Sequence, residues 1–315
     1  MSCPKSQCWY DGFDHFVASV NLDQRDLVAM FTLYCDDSGT HAQSDVAVAA
    51  CYVSTVEQWT QFKRNSDEAN KRENFGVFHM ADFVGRQQQF SSVEWSSRIK
   101  RDRTLGALIN IIRTRARIGF ATAVVKSAYD DVIVNGRLKE RFGENHYAFA
   151  VRMCTAMVDG WRQKHGYKEP VQYIFDRLSK GKGDINRIFE TLLKGGEDAL
   201  NRYGIFEGGW SFQNKADVVQ LQAADIWAWE NYRYMVNCFI PGKLEGKHQR
   251  MPRRSYLALV NFPVEHRYHV RHTLEALVKE MPDWAFSKSV QFGRGLPGLL
   301  MPCALAGALL AGIRR

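Results

Sequence analysis

Short apolar runs and longer helical stretches follow one another along the chain. Five runs rich in β-branched and aromatic residues predict strands, and they cover 31–36, 46–53, 119–125, 171–175 and 210–212. Apolar residues at helical spacing predict helices over 56–72, 95–115, 146–164, 184–203, 216–235 and 264–281. The strands first pair locally and then alternate with helices. This order predicts an α/β fold in which helices cover both faces of a mixed central sheet.

The length and composition favour one large folded unit. With 315 residues, of which 45% are hydrophobic and 24% charged, the chain has ample material for a core. We predict a domain over 30–285, an N-terminal extension over 1–29 and an apolar, poorly ordered tail over 286–315. The charge-free part of the tail, 296–313, is near the lower length limit for a bilayer span, but prolines and glycines interrupt it. A membrane partner is therefore not expected.

Cysteine usage and net charge indicate the cellular compartment and the class of binding partner to expect. The seven cysteines are scattered and form no CxxC pair, which argues against a disulfide framework and a four-thiolate zinc site. The first 30 residues lack the basic-then-apolar layout of a signal peptide, so we expect a cytoplasmic protein. The formal net charge of +8 favours a polyanionic partner such as nucleic acid.

Four acids occupy positions where a carboxylate is costly. Asp36 and Asp37 end the first predicted strand, Asp176 ends the fourth, and Asp225 lies in the apolar stripe of the helix predicted over 216–235. A buried carboxylate is unfavourable unless it is paired or bound to a metal ion. Sites in open α/β sheets gather at the carboxyl ends of strands. We therefore expect these acids to share a divalent cation, and oxygen ligands favour Mg²⁺ or Mn²⁺.

Each acid also has an ordinary structural interpretation. Asp at a strand end is common in turns, and Asp176 could form a salt bridge with Arg177 beside it. Asp225 has two candidate ion-pair partners, Lys215 and Arg233. The pattern of acids therefore indicates either a metal site or a set of structural ion pairs.

Four short blocks of the chain follow a family pattern. They are 34–39 (YCDDSG), 78–83 (FHMADF), 174–176 (IFD) and 221–228 (LQAADIWA). Together they resemble the domain-of-unknown-function family DUF3800, whose opening motif usually has Glu where Asp37 stands. The last block is the most specific of the four.

The resemblance to DUF3800 implies a ribonuclease H-like fold with metal-dependent nuclease activity. It implies Asp36, Asp176 and Asp225 as the metal-binding acids, with Asp37 as the second acid of the opening motif. His79, in the second block, could position a water or a phosphate or act as a general base. A capping or core-edge histidine is the alternative interpretation of this residue.

Basic residues directly follow Asp176 along the chain. Arg177, Lys180 and Lys182 are expected to hold phosphates, since Lys and Arg neutralise a nucleic-acid backbone without recognising its sequence. The leading hypothesis is a nuclease that uses Mg²⁺ or Mn²⁺ to hydrolyse phosphodiesters of DNA or RNA. The alternative is a non-catalytic nucleic-acid-binding or accessory protein of a defence or mobile-element system on the same fold.

Overall fold

The computed structural model describes residues 31–177, 181–240 and 248–281. The extension predicted over 1–29 and the tail predicted over 286–315 lie outside the described residues, as does Lys180. Within the described part, none of the helices has the length and apolar character needed to cross a bilayer.

Six strands form a single sheet. They are β1 (Phe31–Ser38), β2 (Val46–Thr55), β3 (Ile118–Val125), β4 (Val171–Asp176), β5 (Trp210–Gln213) and β6 (Val264–His269). Their order across the sheet is β5-β4-β1-β2-β3-β6. Strand β2 runs antiparallel to β1 and β3, while the pairs β1–β4, β4–β5 and β3–β6 are parallel. The predicted mixed α/β sheet is confirmed.

Helices connect and cover these strands. They are α1 (Val56–Glu73), α2 (Met80–Gly85), α3 (Arg98–Arg115), α4 (Lys126–Val132), α5 (Gly136–Phe142), α6 (His146–His165), α7 (Lys182–Leu193), α8 (Leu221–Tyr234), α9 (Arg254–Val260) and α10 (Arg271–Lys279). Two turns of 3-10 helix, Gln88–Ser91 and Val93–Ser96, and two turns of π-helix, Ala199–Tyr203 and Met235–Phe239, complete the helical segments of the described residues.

The side chains of strand β2 pack against helices on both faces of the sheet. Its residues Val48 and Ala50 pack with α1, α3, α8 and α9, whereas Ala49 and Cys51 pack with α6 and α7. Side chains alternate between the two faces of a strand, so a strand covered on both sides is apolar throughout. The continuous apolar run in β2 is explained by these two helical layers.

The predicted helix over 264–281 is wrong in its first third. The segment Val264–His269 is the edge strand β6, paired in parallel with β3, and only Arg271–Lys279 is helical. The alternation of side chains in this segment also suits a half-buried strand, and the free edge of β3 supplies the hydrogen-bond partners. The predicted helix over 216–235 likewise begins later, at Leu221, after a series of turns.

A glycine shapes the hairpin between β1 and β2. Gly39 follows the last residue of β1 and has a φ of 71°, in the left-handed region. A Cβ at this position would lie 2.2 Å from the Val46 backbone oxygen and 2.7 Å from the Tyr232 ring. Only glycine fits this close approach, which holds the end of β1 against helix α8.

The substitution Gly39→Ala is expected to lower the free energy of unfolding by about 2 kcal/mol or more, because it adds both left-handed strain and a backbone clash. Gly136→Ala is the matched control, since nothing lies within 4 Å of its Cβ and its φ is not positive. The control should be neutral or stabilising by up to about 1 kcal/mol. Urea unfolding of the two variants makes the comparison, and equal stability of both would contradict it.

Candidate functional site

The acids predicted from the sequence come from neighbouring elements. Strands β1 and β4 are parallel, with Cys35 beside Phe175, so Asp36 and Asp176 follow at the same end of adjacent strands. Asp225 is in the second turn of α8, which packs across β1 and β2. Two strand ends and one helix therefore bring three carboxylates together at the carboxyl ends of β1 and β4.

A single lysine ammonium lies among the three carboxylates. Lys215 Nζ is 2.7 Å from Asp36 Oδ2, 3.0 Å from Asp176 Oδ2 and 3.1 Å from Asp225 Oδ1. The structure thus brings Asp36, Asp176 and Asp225 together as the sequence predicted. It places Lys215 at their centre, so the ion pair with Asp225 is part of a larger network.

Backbone groups orient the carboxylates around Lys215. The Asp37 backbone N–H donates to Asp36 Oδ1 at 2.8 Å, and the Met80 backbone N–H donates to Asp225 Oδ2 at 2.6 Å. The Lys215 backbone N–H donates to Asp176 Oδ1 at 3.1 Å. Each acid therefore uses one oxygen to bind the backbone and presents the other to the ammonium.

Burial sets the electrostatics of this centre. The Asp36 and Asp225 side chains are 1% and 6% exposed. Burial raises the pKa of the Asp36 carboxyl well above its usual value; Lys215 opposes the shift, and the nearby acids add to it. Burial alone would lower the pKa of the Lys215 ammonium, but attraction by the acids outweighs it and raises that pKa. The lysine is therefore held as a cation.

Asp37 stands apart from this network. Its Oδ2 accepts a hydrogen bond from Thr40 Oγ1 at 2.5 Å. Burial raises the pKa of its carboxyl, and the Thr40 hydroxyl opposes the shift. The second acid of the opening motif is thus directed to the hairpin loop, although its backbone N–H supports Asp36.

His79 connects the cluster to solvent. It lies immediately before α2, and its side chain is 42% exposed. Its Nδ1 is 3.1 Å from Asp82 Oδ2 and its Nε2 is 3.4 Å from Asp225 Oδ1. The side chain makes no capping hydrogen bond to α2. The imidazole therefore bridges a buried acid and a more exposed one, a position that suits proton transfer.

Gln222 is a positioning residue that the sequence reasoning missed. Its Oε1 accepts from the Phe78 backbone N–H at 3.1 Å, and its Nε2 donates to the Lys215 backbone oxygen at 3.2 Å. The Gln222 side chain thus joins the segment 78–80 to the turn that contains Lys215. Gln222 and Asp225 are three residues apart, so the sequence alone places them on one face of α8 and could have indicated a shared role. In the structure both side chains contact the segment 78–80.

The predicted phosphate-binding residues are only partly described. Arg177 is exposed, and its backbone N–H donates to Asp176 Oδ1 at 2.9 Å. Lys182 is exposed in the first turn of α7, with its ammonium 5.1 Å from the centre of the Phe212 ring. Both side chains are accessible close to the strand that ends in Asp176.

The donor atoms of the cluster suit a hard divalent cation, but the arrangement is that of an ion-pair network. In 31–177, 181–240 and 248–281, no group of three or more His, Cys, Asp or Glu side chains is arranged to hold a metal ion. The carboxylate oxygens are ligands of the kind that Mg²⁺ and Mn²⁺ prefer. Because the Lys215 ammonium lies between them, these residues fit a cation only when that ammonium moves away.

Comparison with known proteins gives no relative for this chain. No family model, no curated protein and no solved structure matches it. The resemblance to DUF3800 stays a prediction.

Replacing Lys215 with Met should lower the free energy of unfolding by about 3–5 kcal/mol at neutral pH, because it leaves buried carboxylates without their cation. Burial already raises the pKa of Asp36, and loss of the opposing ammonium raises it further. The folded variant then binds protons that the unfolded chain does not, so its stability increases as the pH is lowered from about 8 to 5.

Lys63→Met is the control for Lys215→Met, because Lys63 pairs with Asp67 on the surface of α1. This control should change stability by less than about 1 kcal/mol and show no comparable pH trend. Urea unfolding across that pH range makes the measurement. Equal stability of the two variants at neutral pH would mean that the cluster does not need its lysine.

Proposed function

We propose that the protein is a metal-dependent phosphodiesterase that acts on nucleic acid, with Asp36, Asp176 and Asp225 as the ligands of Mg²⁺ or Mn²⁺. One observation carries the proposal: three acids from separate elements direct an oxygen to within 3.1 Å of the same point, Lys215 Nζ. Unlinked structural ion pairs would not need a common centre.

The charge balance of the cluster supports a role for a divalent cation. Three carboxylates face one ammonium, so a formal surplus of two negative charges arises when all three acids are ionised. The raised pKa of Asp36 reflects burial and this crowding of negative charge. A divalent cation would neutralise the surplus without protonating an acid.

The position of the cluster in the sheet also supports a catalytic role. It lies at the carboxyl ends of the parallel strands β1 and β4, where sites of open α/β sheets are found. Strands β1, β2 and β3 are antiparallel neighbours in the sheet, although helices α1, α2 and α3 separate β2 from β3 along the chain. The antiparallel neighbours support the ribonuclease H-like fold that the resemblance implies, with β6 as an added edge strand and the helices before β3 as a departure from it.

The other residues have roles that follow from their contacts. A bound divalent cation would supply electrophilic stabilisation of a phosphoryl group. His79 is 42% exposed, and its Nε2 lies 3.4 Å from Asp225 Oδ1, so it is suited to carry a proton between the centre and solvent. Lys215 would leave the carboxylates and neutralise phosphate charge instead. Arg177 and Lys182 would hold the strand near Asp176.

The contacts of Lys215 also favour a second candidate function, in which the cluster is purely structural. The Lys215 ammonium already contacts all three acids, as a purely structural network requires. On this account the fold is a non-catalytic nucleic-acid-binding or accessory protein, and the cluster fixes α8 against the sheet. The two candidates differ in whether a divalent cation displaces the lysine.

With Mg²⁺ or Mn²⁺ present, the protein is expected to cleave DNA or RNA, and Asp36→Asn or Asp225→Asn should lower the rate about 100-fold or more. Asn keeps the shape of Asp and reduces the crowding of charge, so both variants should stay folded. Mn²⁺ should raise the Tm of the unaltered protein and leave the Tm of Asp225→Asn unchanged.

Asp159→Asn is the matched control for these variants, because Asp159 is a mostly buried acid paired with Arg202 outside the cluster. It should keep both the activity and the Tm shift. A folded protein that cleaves neither DNA nor RNA with either cation, and whose Tm does not respond to Mn²⁺, would contradict the proposal. Salt-sensitive binding without turnover would support the accessory function.

Removing Arg177 or Lys182 by substitution with Gln should weaken nucleic-acid binding equally for different sequences. Each substitution should reduce the slope of log K against log salt concentration by about 1, since one phosphate contact is lost. Arg98→Gln is the control, because Arg98 is 80% exposed on α3 and pairs with Asp102 rather than with an acid of the cluster. Fluorescence anisotropy at several salt concentrations tests this, and an unchanged slope would exclude these residues from the interface.

A further inference from the structure

A second polar cleft lies at the other end of helix α8. It has a volume of about 140 Å³ and lies between the last turns of α8, the π-helical turn Met235–Phe239 and the segment 250–256. The residues that line it include Glu230, Arg233, Asn237, Arg250, Arg253 and Tyr256. Glu230 is five residues beyond Asp225, which places it about 140° around the helix. The cleft is therefore separate from the carboxylate cluster.

The cleft has a positive charge surplus. Among the described residues that line it, three guanidinium groups, those of Arg233, Arg250 and Arg253, face the carboxylate of Glu230. Arg250 is exposed, and the Arg253 side chain is 41% exposed, so ligands from solvent can reach them. Arginine forms paired hydrogen bonds to phosphate and carboxylate oxygens, so this lining suits an anion with two negative charges.

Glu230 is buried in this lining with part of its hydrogen-bonding capacity unused. Its side chain is 0% exposed, and its Oε1 accepts from Arg253 Nε at 3.2 Å and from Ser255 Oγ at 2.5 Å. Its Oε2 and the Arg233 Nε are buried without a hydrogen-bond partner among the described residues. A buried acceptor and a buried donor without partners are costly, and a ligand with both kinds of group would satisfy them.

Aromatic rings hold two of the arginines in place. The Arg253 and Arg233 guanidinium groups lie 4.9 Å and 5.6 Å from the centre of the Trp229 ring. Tyr234 and Tyr256 stack beside them with their ring centres 4.5 Å apart. Cation–π contacts and stacking restrict these side chains before any ligand arrives, which lowers the entropic cost of binding.

We propose that this cleft binds a phosphomonoester dianion, such as the phosphate of a nucleotide or the terminal phosphate of an oligonucleotide. The guanidinium groups match its two charges, and Glu230 accepts a hydrogen bond from a hydroxyl or N–H of the same ligand. The inference does not depend on the proposed function, since it uses neither the carboxylate cluster nor a metal ion.

Isothermal titration calorimetry without divalent cations, at about 0.15 M salt, tests the cleft with defined probes. The probes are inorganic phosphate, adenosine 5′-monophosphate and a short oligonucleotide with a 5′-phosphate. Adenosine and the unphosphorylated oligonucleotide serve as ligand controls. Saturable binding of a phosphorylated probe with one site per chain is expected, and the tightest probe identifies the source of the phosphate.

Arg250→Gln should weaken this binding about tenfold or more, because it removes a charged hydrogen-bond donor from the cleft. Arg254→Gln is the matched control: it removes the same charge from an exposed neighbour that does not line the cleft and should leave binding unchanged. Absence of saturable binding, or equal weakening by Arg250→Gln and Arg254→Gln, would overturn the proposal.

Discussion

The ion pairs that Lys215 forms with three carboxylates hold the functional site together. Its ammonium joins β1, β4 and α8 through Asp36, Asp176 and Asp225. A buried carboxylate without a partner costs several kcal/mol of folding free energy. The shared Lys215 ammonium offsets this cost for all three acids. The same interaction orders the turns before α8, because the Lys215 backbone also bonds to Asp176 and Gln222.

Helix α8 links the two polar regions of the protein. Its first turns hold Gln222 and Asp225 against the sheet and the segment 78–80, and its last turns place Glu230 and Arg233 in the second cleft. Between them the helix packs through apolar side chains such as Trp227, whose Nε1 donates to the Phe120 backbone oxygen at 3.1 Å. The packed apolar middle of α8 thus positions the polar groups at both ends of the helix.

Much of this fold could be predicted because strands covered on both faces have a distinctive apolar pattern. Strand β2 is the clearest example, and its antiparallel pairing with β1 agrees with the predicted local pairing of the first strands. Strand β6 was not predicted, because the alternating residues of Val264–His269 also match a helical pattern, and only the open edge of β3 decides between them.

The convergence of the acids was predicted from the cost of burying charge, whereas the central role of Lys215 was not. The sequence indicated Lys215 only as a candidate partner of Asp225, ten residues away. Its contact with Asp36 spans 179 residues along the chain, and local patterns carry no information on such a pairing. Whether a lysine or a metal ion occupies the centre depends on side-chain positions that only the folded structure provides.

The proposed function requires a divalent cation to replace the lysine ammonium among the three acids. Anomalous diffraction from crystals grown with Mn²⁺ tests this most directly. We expect an anomalous peak bound by oxygens of Asp36, Asp176 and Asp225, with Lys215 Nζ moved off their centre. Crystals without such a peak, in which Lys215 keeps its three carboxylate contacts at saturating Mn²⁺, would contradict it.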